Sequence, residues 1–147
     1  MPEYPFLPLI RELARCYQAF EAFSAQHIRS LGLTQCQFDI IATLGNTPGM
    51  NFRELGQKTL ITKGTLTGVI DRLAEKKLVA RLPDPSDGRS QIVSLTESGQ
   101  ALFTQVFPAH LQYLNAAFTD LDAHEIASMQ RDLKRLGSIF QLSEHKP

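Results

Sequence analysis

Cysteine is scarce in this chain, tryptophan is missing, and no long apolar run occurs. Two of the 147 residues are cysteine, Cys16 and Cys36, which is too few for a disulfide framework or a multi-cysteine zinc site. No stretch approaches the roughly 18 consecutive apolar residues of a transmembrane helix, and the N-terminus lacks the basic and apolar regions of a signal peptide. We therefore expect a cytoplasmic protein with reduced thiols and no membrane partner.

The common signatures of catalysis and metal binding are missing as well. The sequence contains no P-loop, no G-x-G-x-x-G, no H-E-x-x-H and no C-x-x-C. His110 and His124 fall on different predicted helices without a second ligand at helical spacing, and His27 lies on an apolar stripe, where a packed histidine is the commoner case. These patterns predict no enzyme, no cofactor and no metal site.

The chain also has no excess of either charge. Basic and acidic residues number 15 each, so the formal net charge is zero. The charges are unevenly placed, however, because residues 51–96 hold eight basic and five acidic side chains. A local basic surface of this kind is typical of a nucleic-acid-binding element.

What the sequence does contain is a helix-turn-helix pattern that begins at Asn51. Asn51 is a good N-cap with Glu54 as its capping-box partner, and Thr62 is the N-cap of a second helix. One face of the second helix is apolar at helical spacing, with Leu66, Val69, Ile70 and Leu73. The opposite face begins with small and hydroxylic residues, namely Gly64, Thr65, Thr67 and Gly68. Each glycine costs about 1 kcal/mol of helix propensity, which close approach to a DNA groove would offset; an ordinary exposed face is the alternative.

A β-hairpin pattern follows the two helices. Residues 78–82 read as a strand, residues 83–89 carry turn chemistry, and residues 91–95 alternate as the returning strand before Thr96 caps another helix. Arg89 at the hairpin tip is suited to a narrow minor groove. Helix, turn, helix and hairpin together predict a winged helix-turn-helix that reads duplex DNA.

The hairpin and its flanks resemble a known family. Asp87-Gly88-Arg89 followed by Leu95-Thr96-x-x-Gly99 is similar to the D-x-R…L-T-x-x-G signature of MarR/SlyA-type transcription regulators. Lys77 departs from the pattern, because the family commonly has glycine at that left-handed position. The order of elements matches over nearly the whole chain.

The resemblance implies a mainly α fold with a small β-hairpin wing. A single domain, 1–147, would contain a DNA-binding lobe at 34–96 between N- and C-terminal dimerisation helices at 5–31 and 97–142. The implied function is a sequence-specific, ligand-responsive repressor that binds a pseudo-palindromic double-stranded DNA operator as a homodimer. The alternatives are a winged helix that binds another protein and a thiol-based redox sensor of the same family.

Candidate site residues follow from the helix-turn-helix pattern and from the resemblance. The candidate DNA-binding residues lie on the two helices and the wing: Arg53, Thr62, Lys63, Thr65, Thr67, Gly68, Arg72, Asp87, Arg89 and Ser90. The resemblance further implies a small aromatic carboxylate effector near Arg15, Gln18 and Phe38, where Arg15 would pair with the carboxylate and Phe38 would stack on the ring. The alternative is that Arg15 is a surface charge and Phe38 a packing residue.

The remaining segments are predicted to be helical. Residues 2–8 are expected as an extended arm, followed by a helix from about Leu9 to Leu31 that Gly32 ends. Thr34 and Gln37 form a capping box for the next helix, and Asp122 and Glu125 do so for the last one. Pro108 is expected to bend the helix between them. For the thiols, Cys36 lies in the first turn of a helix, where the helix dipole can lower the pKa of a thiol, whereas Cys16 lies on the apolar stripe, where a thiol usually packs as a small hydrophobic group.

Overall fold

The computed structural model describes the backbone of residues 3–144 and the side chains of residues 3–141. It has six helices and three short strands among those residues, which agrees with the predicted mainly α fold. The elements are α1 (Leu7–Ser30), α2 (Gln35–Leu44), β1 (Met50–Asn51), α3 (Phe52–Thr59), α4 (Lys63–Glu75), β2 (Val79–Asp84), β3 (Asp87–Leu95), α5 (Glu97–Ala117) and α6 (Ala123–Glu144). The chain divides into two compact units, Met1–Leu111 and Gln112–Pro147, so α5 begins in the first and ends in the second.

The hydrophobic core of the first unit lies among the predicted winged-helix elements and the helix before them. The fully enclosed side chains come from α1, α2, α3, α4, β3 and α5: Ile28, Ile40, Ile41, Leu44, Leu55, Leu66, Ile70, Leu73, Val93 and Val106. Burial of this apolar surface is the main stabilising contribution to the unit. The predicted winged-helix elements thus share one core with α1 and α5.

Helix α1 begins earlier than the sequence analysis predicted. The extended arm was expected through residue 8, but the helix starts at Leu7, with Pro8 in its first turn. Proline is tolerated there because the first amides of a helix have no intrahelical partner. At the other end Gly32 has φ +80°, which confirms that glycine ends this helix in a left-handed conformation.

The predicted cap of α2 is confirmed in both directions. The Thr34 hydroxyl accepts the Gln37 amide at 3.2 Å, and the Gln37 side chain accepts the Thr34 amide at 3.1 Å. Thr96 likewise accepts the Gly99 amide at 3.1 Å, and its hydroxyl donates to the Lys77 carbonyl at 2.7 Å. The second bond ties the start of α5 to the corner between α4 and β2.

The sheet has three strands in the order β1-β3-β2, of which sequence analysis found two. Strand β1 pairs Met50 with Val93 and Asn51 with Ile92. Two residues are too few to show alternation, so β1 left no pattern in the sequence. Gly49 leads into it with φ +103°, and a Cβ at that position would lie 2.7 Å from the Val93 carbonyl oxygen.

The wing is longer and its turn tighter than predicted. Residues 83–84 and 87–89 were expected in the turn, yet β2 runs to Asp84, β3 begins at Asp87, and Asp84 lies opposite Asp87. Pro83 fits because β2 is an edge strand, where a missing amide is tolerated. The irregularity falls between Pro83 and Asp84, directly before the tip.

Candidate nucleic-acid interface

The short helix α3 begins at the predicted N-cap, but the capping box is not completed, because the Glu54 carboxylate pairs with Lys58 at 3.5 Å. The Asn51 side chain accepts the Glu54 amide at 2.8 Å. Asn51 is also opposite Ile92 in the sheet, so the same residue ends β1 and starts α3. Arg53, in the first turn of α3, is exposed, and a helix N-terminus favours anions such as DNA phosphates.

The turn between α3 and α4 has an unusual conformation. Leu60 has φ +60° and is 88% exposed, which is a strained arrangement for a leucine. Thr62 has the extended backbone of an N-cap, but its hydroxyl does not accept a helix amide as predicted. It donates instead to the Thr65 hydroxyl at 3.2 Å. This bond links two candidate DNA-binding side chains.

Helix α4 has the two faces that its sequence predicted. Leu66, Ile70 and Leu73 are buried, whereas Thr65 and Thr67 are exposed. A Cβ placed on Gly64 or on Gly68 would meet open space, so no packing inside this chain requires those glycines. An outward face of small residues is what close backbone approach to a DNA groove requires.

The tip of the wing is organised by two aspartates. The Asp84 carboxylate accepts the Ser86 amide at 2.9 Å and the Ser86 hydroxyl at 2.8 Å. Both hydrogen bonds lower the pKa of Asp84, and the bond from the Ser86 amide has the larger effect. Asp87 accepts the Arg89 amide at 3.1 Å, and the Arg89 side chain is exposed. The two turns fix the backbone that carries Arg89.

An open groove of about 850 Å³ lies between α3, α4 and the wing. It brings together six of the ten candidate DNA-binding residues: Arg53, Lys63, Thr67, Asp87, Arg89 and Ser90. The other four, Thr62, Thr65, Gly68 and Arg72, are exposed in or beside α4 without lining the groove. Sequence analysis missed Phe52, Gln57, Arg81 and Gln91, which also line it. The positive charge of Arg81 was the available signal, but its strand alone did not show that it faces α4.

The Arg81 side chain extends from the wing to α4. Its guanidinium donates to the Asp71 carboxylate in an ion pair whose side chains are 34% and 47% exposed. The corner between the two elements is closed by hydrogen bonds from the Leu78 amide to the Leu73 carbonyl, 3.0 Å, and from the Lys77 amide to the Ala74 carbonyl, 2.9 Å. Both bonds form a Schellman motif, and Lys77 has the φ of +60° that its place in the family pattern implies.

The candidate effector residues lie in different surroundings. Phe38 is buried and packs edge-on against the His110 ring, with the ring centroids 4.6 Å apart. Arg15 is exposed on α1 and forms an ion pair with Glu12 at 3.2 Å, and Gln18 is exposed on the same helix. Phe38 is therefore a packed core residue, and Arg15 is engaged in an ion pair on the surface of α1.

A histidine pair beside Phe38 was missed by sequence analysis. The Nδ1 atoms of His27 and His110 are 2.9 Å apart, the rings stack at 5.2 Å, and the Ser24 hydroxyl lies 3.1 Å from His110 Nε2. Burial, and secondly the nearby His27, lower the pKa of His110. His27 and His110 are 83 residues apart in sequence, so no local pattern marks them as partners. Among the residues that the structure describes, no cluster of three metal-ligating side chains occurs.

The thiols differ from expectation in one respect. The helix dipole does not control Cys36, because burial, followed by the Asp39 carboxylate, raises the pKa of its thiol. Burial also raises the pKa of Asp39, while a hydrogen bond from Gln35 opposes that shift. Cys16 is exposed on α1, and neither cysteine is in a disulfide. A thiol with a raised pKa is less nucleophilic at neutral pH, which argues against a redox role for Cys36.

The fold and groove define a winged-helix protein, and comparison with known proteins identifies its family. The MarR family model matches residues 33–91. The chain is 32% identical over 124 residues to the HTH-type transcriptional repressor NicR of Pseudomonas putida, an alignment that covers 84% of this chain and 78% of that protein. This chain belongs to the MarR family, whose members are DNA-binding transcriptional regulators rather than enzymes.

Solved structures agree over almost the full length. The structure of Bordetella bronchiseptica BpsR, solved to explain regulation of its DNA binding by 6-hydroxynicotinic acid, is 29% identical with a TM-score of 0.80, and the match covers 93% of this chain and 98% of that one. A cysteine-to-serine mutant of E. coli MarR, complexed with operator DNA, is 27% identical with a TM-score of 0.78, covering 91% and 99%. In the described part of this chain, no helix is long and apolar enough to span a bilayer.

Proposed function

We propose that this chain is a cytoplasmic repressor that binds a pseudo-palindromic DNA operator as a homodimer and is released by a small aromatic carboxylate. The groove between α3, α4 and the wing carries this proposal. It gathers Arg53, Lys63 and Arg89 beside the small outward face of α4, although the whole chain has no net charge. Cations concentrated on the elements of a winged helix-turn-helix match the phosphate backbone of a duplex.

The proposed DNA contacts are of three kinds, namely contacts to phosphates, to base edges in the major groove and to the minor groove. Arg53 and Lys63 lie at or beside helix N-termini and would contact phosphates, which set position but not sequence. Thr65 and Thr67 on the outward face of α4 would contact base edges in the major groove. Arg89 at the wing would reach the flanking minor groove. Two copies related by a two-fold axis would place two recognition helices about one DNA turn apart, which accounts for a pseudo-palindrome.

The test uses DNA that the protein selects for itself. The full chain is incubated with a random duplex pool, and bound duplexes are recovered and sequenced. A selected duplex and a scrambled duplex of equal composition are then titrated over a range of salt concentrations. We expect a two-fold-related consensus, tighter binding of the selected duplex, and affinity for both that falls steeply with salt. Failure to enrich any sequence would contradict the proposal and favour a winged helix that binds another protein.

A separate observation supports relief by an effector. NicR and BpsR are among the relatives, and the BpsR structure concerns regulation by 6-hydroxynicotinic acid. In this chain Phe38 is buried against His110 at the junction of α1, α2 and α5, and Arg15 and Gln18 are exposed on α1. We propose that an aromatic carboxylate draws Arg15 away from Glu12 and packs against Phe38.

The effector proposal is tested by release of the selected duplex. We expect 6-hydroxynicotinate to weaken DNA binding and the corresponding neutral amide to have little effect, since Arg15 would recognise the carboxylate. Equal effects of acid and amide would contradict the assigned role of Arg15. No effect of any aromatic carboxylate at millimolar concentration would contradict the effector class while leaving the DNA-binding proposal intact.

A further inference from the structure

The ion pair between Asp71 and Arg81 joins the recognition helix to the wing. Among the hydrogen bonds and ion pairs of the described residues, it is the one that links α4 to the exposed part of β2. We propose that Asp71 and Arg81 are a positioning pair that fixes the angle between α4 and the wing, so that both contact one duplex in register. This inference rests on the DNA-binding function proposed above.

The location of the pair suits that role. Val79, at the start of β2, is buried, but residues 81–83 are exposed, so the hairpin leaves the core at Arg81. The chain between α4 and β2 consists of residues 76–78, and its Schellman hydrogen bonds lie at the base of the corner. The ion pair therefore closes the corner at its outer side, where core packing no longer holds the strand.

A small change in the angle of the hairpin at Arg81 produces a larger displacement at its tip. The tip residue Asp84 is three residues beyond Arg81, which is about 10 Å along a strand. A change of about 10° in the angle of the hairpin would thus move the tip, and with it the backbone of Arg89, by roughly 2 Å. A displacement of that size is enough to separate a side chain from its groove contact.

The effect of neutralising Asp71 on DNA affinity distinguishes a positioning role from a purely electrostatic one. Asp71 is a carboxylate on the DNA-facing side of the molecule, so its neutralisation should tighten binding to any duplex if charge is all that matters. If the pair positions the wing, Asp71→Asn should instead weaken binding to the specific duplex. Glu75 is one helical turn further along α4, is exposed, and has no hydrogen-bond or ion-pair partner among the described residues. Glu75→Gln is therefore a control that removes the same charge without breaking a link.

The experiment titrates wild type, Asp71→Asn and Glu75→Gln with a duplex selected by the wild type and with its scrambled counterpart. We expect Asp71→Asn to bind the selected duplex about tenfold more weakly, and the scrambled duplex as well as the wild type does or slightly better. Hydroxyl-radical protection should be lost at the minor grooves that flank the core site and kept over the major grooves. Glu75→Gln should keep the ratio of the two affinities within twofold. Circular dichroism melting should show both variants folded, because a half-exposed ion pair contributes little to global stability.

A double-variant comparison separates positioning from direct DNA contact. If Arg81 acts through Asp71, Arg81→Ala combined with Asp71→Asn should lose no more specific affinity than the worse single variant. Additive losses would overturn the proposal, since they would mean that Arg81 contacts DNA on its own. Tighter binding of both duplexes by Asp71→Asn, as expected for Glu75→Gln, would overturn it as well. A wild type that selects no duplex would instead overturn the proposed function on which this inference rests.

Discussion

Gly99 and Gly68 differ in the reason for having no side chain, and the space around each residue shows the difference. A Cβ on Gly99 would lie 2.0 Å from the Leu78 carbonyl oxygen, so the start of α5 passes too close to the corner after α4 for any side chain. A Cβ on Gly68 would meet nothing within 4 Å, even though glycine lowers helix stability. Gly99 is required by the fold, whereas the cost of Gly68 has no compensation inside the chain.

Alanine substitutions at these two positions should therefore change stability in opposite directions. Gly99→Ala should lower the free energy of unfolding by about 3 kcal/mol, because the atom it meets is backbone and cannot rotate away. Gly68→Ala should raise it by up to about 1 kcal/mol and weaken binding to a selected duplex, if the helix approaches DNA closely. Urea unfolding and DNA titration measure the two effects. A Gly68→Ala variant that binds DNA as well as wild type would contradict close approach at that position.

Arg89 should matter for DNA binding and not for folding. Its side chain is exposed, and only its backbone amide is held, by Asp87. Arg89→Ala should lose about 1–3 kcal/mol of affinity for the selected duplex, as expected for the loss of one specific contact. Its melting temperature should stay close to that of wild type, because a side chain at a loop tip buries little surface. Normal DNA affinity, or a large fall in melting temperature, would show that Arg89 has a structural role instead.

Helix caps with a local cause were predictable from sequence, with Thr62 as the exception. The caps formed by Thr34 and Thr96 depend on side chains within three residues, and both were predicted correctly. The ion pair of Asp71 with Arg81 depends on how a helix and a strand meet, which no spacing in the sequence specifies. For the same reason, the strand pattern of the wing did not show that Arg81 and Gln91 line the groove.

Between elements, the corner from α4 to β2 carries backbone strain. Lys77 has φ +60°, where a side chain crowds the backbone, and its place in the motif is one that glycine usually occupies. Lys77→Gly should raise the free energy of unfolding by up to about 1 kcal/mol, less the entropy that glycine adds to the unfolded chain. Urea unfolding measures the change.

Asn46 provides the matched control for that substitution. It also has a positive φ, of +59°, but asparagine tolerates this region, and the Asn46 side chain accepts a 2.7 Å hydrogen bond from Gln100. Asn46→Gly should therefore destabilise the protein. Equal signs for the two variants would show that backbone strain at Lys77 is not the controlling term.

The contact between α1 and α5 should make stability depend on pH. Burial, and secondly the nearby His27, lower the pKa of His110, so the folded state binds a proton there less readily than the unfolded chain, in which the ordinary value is about 6.5. The unfolded state thus binds more protons below that pH. The contribution of neutral His110 is therefore fully present above about 6.5 and lost as the pH falls.

Two histidine variants test this pH dependence. We expect the free energy of unfolding to decrease from pH 7 to pH 5.5 and His110→Gln to flatten that decrease. His124→Gln, at an exposed position on α6, should keep the wild-type slope. An unchanged slope in His110→Gln would contradict the assignment.

Elements were predicted best where they are long and periodic. The helices were found from apolar spacing, whereas β1 is too short to alternate and the outer strand residues of the wing were read as a turn. Their Pro, Asp and Gly residues do favour turns, yet pairing between β2 and β3 extends the hairpin to Asp84 and Asp87. Tertiary pairing outweighed local preference at these positions.

At the scale of the whole molecule, much apolar surface stays exposed in both units. On α1, Leu9, Tyr17 and Phe20 are 50%, 60% and 48% exposed. On α6, Met129 and Leu133 are 52% and 60% exposed. A row of apolar side chains along one helix of a monomer is normally buried by the rest of the chain. Because these rows on α1 and α6 are exposed, they indicate a surface for association with another chain. A symmetric homodimer would cover the same surface on both copies.

Dimerisation should therefore be measurable and should depend on the terminal helices. Light scattering after gel filtration should give twice the chain mass of 16.4 kDa at micromolar concentration. Leu133→Glu on α6 should shift the protein toward monomer, because an ionised carboxylate placed in an apolar interface loses its hydration without a partner. Leu82→Glu is the matched control: Leu82 is 58% exposed, against 60% for Leu133, but it lies on the wing, so the variant should remain dimeric. A wild-type monomer would contradict the homodimer, and a dimeric Leu133→Glu variant would place its interface away from this part of α6.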